Sequence, residues 1–192
     1  MAAPMPLDSI RCISSKRLTL RPVEEVDLDD LLDTNGDSEV TRFLPYATWQ
    51  SRDDGLAWLR RMETLATSGT SRQLVLARNT DAKVIGTLLL FRYDEPSARL
   101  EVGYALGRDH WGKGLMAEAL EAICDHAFST LSIRRMEAEV NPSNIASNRL
   151  MQRIGFTLEG VLRKRWVAKG VAYDSNFYGC LAEDWRSNEN AA

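Results

Sequence analysis

One glycine-rich segment of the sequence has residue types that suit the binding of a phosphate group. The segment GRDHWGKGLMA covers residues 107–117, between a predicted strand and a predicted helix. Glycine lets backbone N–H groups approach an anion closely, and the first N–H groups of a helix have no partner within that helix. The segment therefore predicts an anion site at a helix N-terminus, where phosphate groups commonly bind.

Two nucleotide-binding patterns fit the same segment, each with a defect. GRDHWGK has the spacing of a nucleotide P-loop, but Gly114 stands where Ser or Thr should hold Mg²⁺. GKGLMA fits the Rossmann fingerprint, and Glu137 or Glu139 follows about 20 residues later. That fingerprint needs a parallel βαβ array, whereas antiparallel strands are predicted before it and little chain follows. A glycine turn that binds no ligand is a further alternative.

The elements before this segment are a strand, helices and three further strands. RLTLRPV, from Arg17, alternates apolar and polar residues as a half-buried strand does. Helices are predicted after it, with Gly36 as a stop signal and Ser51 as an N-cap. Three apolar runs between residues 72 and 106 are joined by short turns, which predicts antiparallel hairpins.

The elements after the segment complete a mixed sheet. A helix follows Gly114, then a strand from Arg134, a short helix that ends at Gly155, and a closing hairpin that turns at Lys169-Gly170. This order predicts an α+β fold in which a mixed, mostly antiparallel sheet is flanked by helices. The length of 192 residues fits a single domain. We expect this domain over residues 16–185, with tails at 1–15 and 186–192.

Composition excludes several classes of protein. The cysteines at 12, 124 and 180 are far apart and odd in number, so neither a disulfide framework nor a zinc site is expected. No other metal site is expected either. Net charge is −3, which gives no support for nucleic-acid binding. The apolar runs are too short to span a bilayer, and the first residues lack a secretory pattern. A cytoplasmic protein is the expectation.

Four motifs, in order along the chain, resemble the GNAT superfamily of N-acetyltransferases. DHWGKG takes the place of the superfamily's acetyl-CoA loop, although Asp109 stands where Gln or Arg is usual. NPSNIASNRLMQRIGF is similar to the N-x-A-S-x-R signature of the Rim-type branch, which acetylates protein N-termini. FTLEGVLRK matches that branch's continuation and RLTLRP its opening strand. The resemblance implies a GNAT fold over essentially the whole chain from Arg17.

The resemblance also implies which residues bind acetyl-CoA, the cosubstrate. The pyrophosphate would lie on the backbone of Gly112, Lys113, Gly114, Leu115 and Met116. The pantetheine arm would pair with the backbone that follows Tyr104, at Ala105 and Leu106. Asn144 would contact the same arm, with helix N-capping as its structural alternative, for which Ser143 competes. Arg149 would bind the cofactor or pair with glutamates.

Catalysis would fall to Glu101 and Ser147. Glu101 lies mid-strand in an apolar run and would act as the general base; its structural alternative is an outward-facing strand residue. Many relatives protonate the leaving thiolate with a tyrosine, but Met151 occupies that position here. Ser147 is then the alternative donor, unless its hydroxyl only bonds its own helix backbone.

The sequence does not identify the acceptor amine. A protein N-terminus is the first expectation from the resemblance, and a small amine such as a drug, polyamine or amino acid is the second. A non-catalytic acetyl-CoA-binding module is a third possibility, against which the presence of Glu101 and Ser147 argues. Either a monomer or a homodimer is compatible with the sequence.

Overall fold

A computed structural model describes the backbone of residues 6–189 and the side chains of residues 7–185. Its centre is an eight-stranded sheet in the order β1-β2-β3-β4-β5-β6-β8-β7. The strands are β1 Ile13–Ser14, β2 Leu18–Pro22, β3 Arg72–Arg78, β4 Val84–Asp94, β5 Arg99–Leu106, β6 Arg135–Val140, β7 Thr157–Ala168 and β8 Val171–Leu181. All neighbours are antiparallel except β5 and β6, which are parallel. The predicted α+β class is thereby confirmed.

Helices cover both faces of the sheet. They are α1 Leu28–Asn35, α2 Ser38–Thr41, α3 Arg52–Ala66, α4 Leu115–Ser129, α5 Ile145–Arg153 and α6 Ala182–Glu189. Side chains of α1 and α3 pack with β3 residues Val75 and Ala77 on one face. Side chains of α4 and α5 pack with β3 residues Leu74 and Leu76 on the other. Successive strand residues thus serve opposite cores, as the two-residue period of a strand requires.

Helix α4 makes the crossover between the parallel strands β5 and β6. Its buried stripe includes Ala119, Leu120, Ile123 and Ala127, all fully inaccessible to solvent. These positions recur every three to four residues, so they lie on one face of the helix. Their burial fixes α4 against the sheet, and with it the place where the helix begins.

The predicted closing hairpin is present and turns as expected. Lys169 and Gly170 connect β7 to β8 with φ values of 53° and 78°. Two consecutive left-handed residues form the tight turn that suits the twist of a hairpin. At its tip, Lys169 Nζ donates to the Thr41 carbonyl of α2 at 2.8 Å, so the hairpin reaches across the sheet end.

The chain ends contribute more to the fold than the expected tails would. Residues Pro6–Ser9 form a 3₁₀ helix, and β1 adds an outer strand. Leu7 and Ile10 are buried in the core with α4. Apolar side chains this close to the sheet edge gain more by covering the core than by extending into water. At the other end α6 runs past residue 185, while residues 1–5 and 190–192 lie outside the described part of the chain.

The described residues also show the state of the cysteines, the length of the helices and the grouping of possible metal ligands. Cys12 is exposed, Cys124 and Cys180 are buried, and all three are free thiols. Between residues 6 and 189 no helix is long and apolar enough to cross a membrane. Among the side chains of residues 7–185, no group of three His, Cys, Asp or Glu could hold a metal ion.

Candidate active site

A split in the sheet defines the site. Strands β5 and β6 pair only from Arg99 with Arg135 to Glu101 with Glu137. Beyond that point β5 continues to Leu106 alongside β4, and β6 continues to Val140 alongside β8. The two strands therefore diverge, and the edge of β5 that faced β6 no longer has a strand partner. Buried backbone N–H and C=O groups need partners, so such an edge is a place for an extended ligand to pair.

A cavity of about 860 Å³ lies at the mouth of this split. Its size falls within the range of small-molecule sites. Its wall extends from α2, through the end of β5 and the start of α4, to α5. The split thus brings together most of the residues predicted for cofactor binding, since the wall includes Ala105, Leu106, Gly112, Gly114, Leu115, Met116, Asn144 and Arg149. The wall also includes Ser147, which is predicted to assist the leaving thiolate.

The glycine loop enters α4 in a strained backbone conformation that glycine tolerates. Gly112 and Gly114 have φ values of 71° and 74°, in the left-handed region. Gly114 is the N-cap of α4, and no side chain described here caps the helix. The first amides of a 15-residue helix are therefore available beside the cavity, with the positive end of the helix dipole. Trp111 Nε1 donates to the Leu106 carbonyl at 2.7 Å, so it ties the loop to β5.

Lys113 of the glycine loop is held by its backbone, and its side chain is exposed to solvent. The Lys113 side chain is exposed and is not among the described residues that line the cavity. Its carbonyl accepts a hydrogen bond from Arg17 Nη1 at 2.9 Å. Arg149 is exposed at the cavity wall and has no ion-pair partner among the described side chains of residues 7–185. It is thus free to meet an anionic ligand.

Asn144 is the N-cap of α5. Its Oδ1 accepts from the Ser147 backbone N–H at 3.2 Å, so the capping alternative applies to Asn144 and not to Ser143. Asn144 still lines the cavity, so capping and ligand contact are compatible.

Ser147 has a partner that the sequence did not indicate. Its hydroxyl lies 2.7 Å from the hydroxyl of Tyr104, which also lines the cavity. Burial raises the pKa of Tyr104 above its ordinary value, so the phenol stays protonated at neutral pH. The alternation of side chains along β5 puts Tyr104 and Glu101 on opposite faces of the sheet. Nothing local in the sequence links Tyr104 to a serine 43 residues later.

Glu101 lies on the other face of the sheet, at the last paired position before the split. Its side chain is only 3% exposed, and Arg92 Nη1 donates to it at 2.8 Å. Burial raises the pKa of Glu101, and the neighbouring Arg92 offsets part of that rise. The outward-facing alternative does not fit a carboxylate this buried. Glu101 does not itself line the cavity in the described part of the chain; it adjoins the split from the α1–α3 face.

A second glutamate connects this region to the closing hairpin. Arg92 Nη1 also donates to Glu139 at 3.2 Å, and Trp166 Nε1 donates to the same carboxylate at 2.7 Å. Burial would raise the pKa of Glu139, but hydrogen bonds from Arg165 and Trp166 outweigh it, so the pKa falls below its ordinary value. Glu139 is therefore an ionised anchor for the hairpin, whereas burial makes Glu101 a weaker acid than an exposed glutamate.

Comparison with known proteins gives consistent results. The family model described as an acetyltransferase (GNAT) domain matches residues 17–157. An uncharacterized N-acetyltransferase p20 of Bacillus licheniformis is 33% identical, over 89% of this chain and 96% of that protein. The ribosomal-protein-serine acetyltransferase of Escherichia coli strain K12 is 26% identical, over 70% of this chain and 74% of that protein.

Solved structures agree with the fold. A GCN5-related N-acetyltransferase from Brucella melitensis superposes with a TM-score of 0.87 at 23% identity, covering 98% of this chain and 86% of that one. A RimL ribosomal L7/L12 α-N-protein acetyltransferase in complex with coenzyme A gives a TM-score of 0.79 at 22% identity, covering 89% of this chain and 98% of that one.

Proposed function

This chain belongs to the acetyltransferase (GNAT) family and is an acetyl-CoA-dependent N-acetyltransferase, and on that premise we propose that its acceptor is the α-amine of a protein N-terminus. The observation that carries the proposal is the position of Glu101, a buried carboxylate of raised pKa beside the strand split. An amine must lose a proton before or during attack on a thioester, and this carboxylate belongs to the last paired residue of β5.

Acetyl-CoA would bind along the wall of the cavity. Its pyrophosphate would accept hydrogen bonds from the amides between Gly112 and Met116, where the helix dipole favours negative charge. Its pantetheine arm would pair with the open edge of β5 at Ala105 and Leu106, as an added strand does. Arg149 would meet an anionic group of the cofactor, and Asn144 would contact the arm while it caps α5.

The reaction would then be a direct transfer. The amine nitrogen attacks the thioester carbon, and an N–H of the open β5 edge stabilises the negative charge that develops on the carbonyl oxygen. The proton lost by the amine passes to Glu101, directly or through water. The C–S bond breaks, and the departing thiolate accepts a hydrogen bond from Ser147, whose hydroxyl is oriented by Tyr104.

The proton balance favours an α-amine over a lysine side chain. Deprotonating an α-amine with a pKa near 8 costs about 1.4 kcal/mol at pH 7, whereas a lysine with a pKa near 10.4 costs about 4.6 kcal/mol. Glu101 keeps Arg92 as a cationic neighbour, which limits the proton affinity of its carboxylate. Such a base is strong enough to deprotonate an α-amine but weak for a lysine side chain. The E. coli relative is named a ribosomal-protein-serine acetyltransferase, and that name supports a protein as the acceptor.

An acceptor panel with acetyl-CoA tests the proposal. Peptides with free N-terminal Ser or Ala would be compared with the same peptides blocked at the α-amine but carrying an internal lysine, and with spermidine and small amines. CoA release should occur with the free peptides and be absent with the blocked ones. Faster turnover of spermidine or of small amines would replace the peptide acceptor by the small-amine alternative. Tight acetyl-CoA binding without turnover of any amine would instead indicate the non-catalytic module.

A further inference from the structure

A compact polar network lies behind the glycine loop, on the N-terminal hairpin. Arg17 precedes β2 and donates through Nε to Glu118 Oε2 at 2.6 Å, while its backbone N–H donates to Oε1 at 2.6 Å. The Ser15 hydroxyl donates to the same Oε1 at 2.7 Å. Glu118 lies in the first turn of α4, so one carboxylate joins the hairpin to the helix start.

The remaining arm of Arg17 reaches the loop itself. Arg17 Nη1 donates to the Lys113 carbonyl at 2.9 Å. A Cβ atom added at Gly114 would lie 3.6 Å from Arg17 Nη2, so the guanidinium packs directly against the loop backbone. Arg17 thereby bonds two segments at once, with the planar fork of donors that lysine lacks.

The bond to Lys113 sets the direction of the next amide. In a trans peptide the C=O and N–H groups point in opposite directions. With the Lys113 carbonyl aimed at Arg17, the Gly114 N–H is aimed away from Arg17, and Gly114 lines the cavity on its other side. This peptide is followed by Gly114 with a φ of 74°, and glycine restricts rotation about that bond less than any other residue does. Without an external bond the peptide could rotate and offer a carbonyl to an anion.

We propose that Arg17 is a positioning residue for acetyl-CoA: it fixes the Lys113–Gly114 peptide so that the Gly114 N–H faces the pyrophosphate. This inference rests on the proposed cofactor site, and it does not depend on which amine is acetylated. Glu118 anchors Arg17 in the required direction. Hydrogen bonds from Ser15 and Arg17 outweigh the effect of burial and lower the pKa of Glu118, so this anchor stays ionised at neutral pH.

The closing experiment compares R17A with K16A. Lys16 is the adjacent exposed cation, so K16A removes the same charge from the same turn without removing the loop contact. Calorimetry with CoA needs no acceptor amine. If the loop of R17A is correctly oriented about a tenth of the time, its CoA affinity should fall about tenfold, because apparent affinity scales with the competent fraction. K16A should bind CoA as the wild type does.

Kinetics separate positioning from general damage to the fold. S-acetylpantetheine has the thioester but no pyrophosphate, so R17A should leave the kcat/KM for this donor unchanged. With acetyl-CoA, R17A should raise the KM about tenfold and retain kcat at saturation. An equal loss with both donors would assign Arg17 a merely structural role. Unchanged CoA affinity in R17A, or an equal loss in K16A, would also overturn the proposal. R17Q keeps two of the three methylene groups of arginine and replaces R17A if the alanine variant does not fold. Wild-type CoA binding without turnover would count against the proposed function alone.

Discussion

The substitution Glu101→Gln tests the proposed general base with little disturbance of its surroundings. Glutamine has the same size as glutamate, and its amide oxygen can still accept from Arg92, which now lies 2.8 Å from the carboxylate. Arg92 also keeps its bond to Glu139 at 3.2 Å, so no cation is left unpaired. The change therefore removes proton affinity and leaves the packing in place.

The expected loss of rate follows from the protonation of the amine. Without a base, only the free amine reacts, and its fraction falls tenfold for each pH unit below its pKa. As long as Glu101 of the wild type stays ionised, and for an α-amine with a pKa near 8, Glu101→Gln should be about 10-fold slower than wild type at pH 7 and about 100-fold slower at pH 6. The second value reaches the lower end of the usual range for general-base catalysis, about 10²–10⁴-fold. Above pH 8 the two enzymes should converge.

The wild-type profile should have its own acid limb. Burial raises the pKa of Glu101, and the carboxylate is the active form, so wild-type activity should fall as pH drops through that raised pKa. The pKa of Glu101 is higher in the folded state than in the unfolded state. The free energy of unfolding therefore falls as the pH rises from the unfolded-state pKa to the folded-state pKa. The glutamine variant should therefore melt no lower than wild type at pH 7–8.

The assay is CoA release at saturating acetyl-CoA from pH 6 to 9, with single-turnover measurements to establish that chemistry limits the rate. Thermal melts of both proteins at each pH provide the control for folding. A rate ratio that stays constant across this range would refute the assignment of Glu101 as proton acceptor and leave it a structural partner of Arg92.

Three further predictions concern the cavity wall and its support. Ser147→Ala should lower kcat roughly 10–150-fold and retain acetyl-CoA affinity, because one hydrogen bond to a developing thiolate contributes about 1.5–3 kcal/mol. Tyr104→Phe keeps the Ser147 hydroxyl, so it should lower the single-turnover rate less than Ser147→Ala does. Gly114→Val should weaken CoA binding in calorimetry, since a β-branched residue is strained at a φ of 74°. Asn148→Ala should destabilise the fold by about 1–3 kcal/mol in urea unfolding, because its Oδ1 accepts from the Tyr178 hydroxyl at 2.8 Å.

Each of these predictions has a result that contradicts it. Ser143→Ala removes an exposed hydroxyl from the same cavity wall and should leave kcat unchanged; an equal loss there would deny Ser147 a specific role. Undiminished CoA affinity in a folded Gly114→Val protein would remove the glycine loop from the binding site. An Asn148→Ala protein as stable as wild type would mean that water satisfies Tyr178 equally well.

Local pattern was sufficient for most of the fold. Alternation in β2, the apolar runs of β3 to β5 with the short turns that join them, and the glycines at 112 and 114 are properties of neighbouring residues, and each predicts its element from a few positions. The same holds for the Lys169-Gly170 turn, which needs only two left-handed residues. The short first strand and the C-terminal helix were missed because their pattern is brief, and their stability comes from burial of Leu7, Ile10 and Trp185 against distant parts of the core.

The arrangement of the site depends on contacts that no local pattern contains. The sequence by itself determined the family, the glycine loop and the identities of Glu101, Ser147 and Asn144 as residues of interest. The tertiary structure decided that β5 separates from β6 just after Glu101, and that Tyr104 meets Ser147 from 43 residues away. It also decided that Arg17 bonds Lys113 across 96 residues. Helices and turns follow from short-range sterics and hydrogen bonds. Contacts between residues far apart in the chain, such as Tyr104 with Ser147, form only once the two cores have packed on the sheet and fixed the relative positions of its strands.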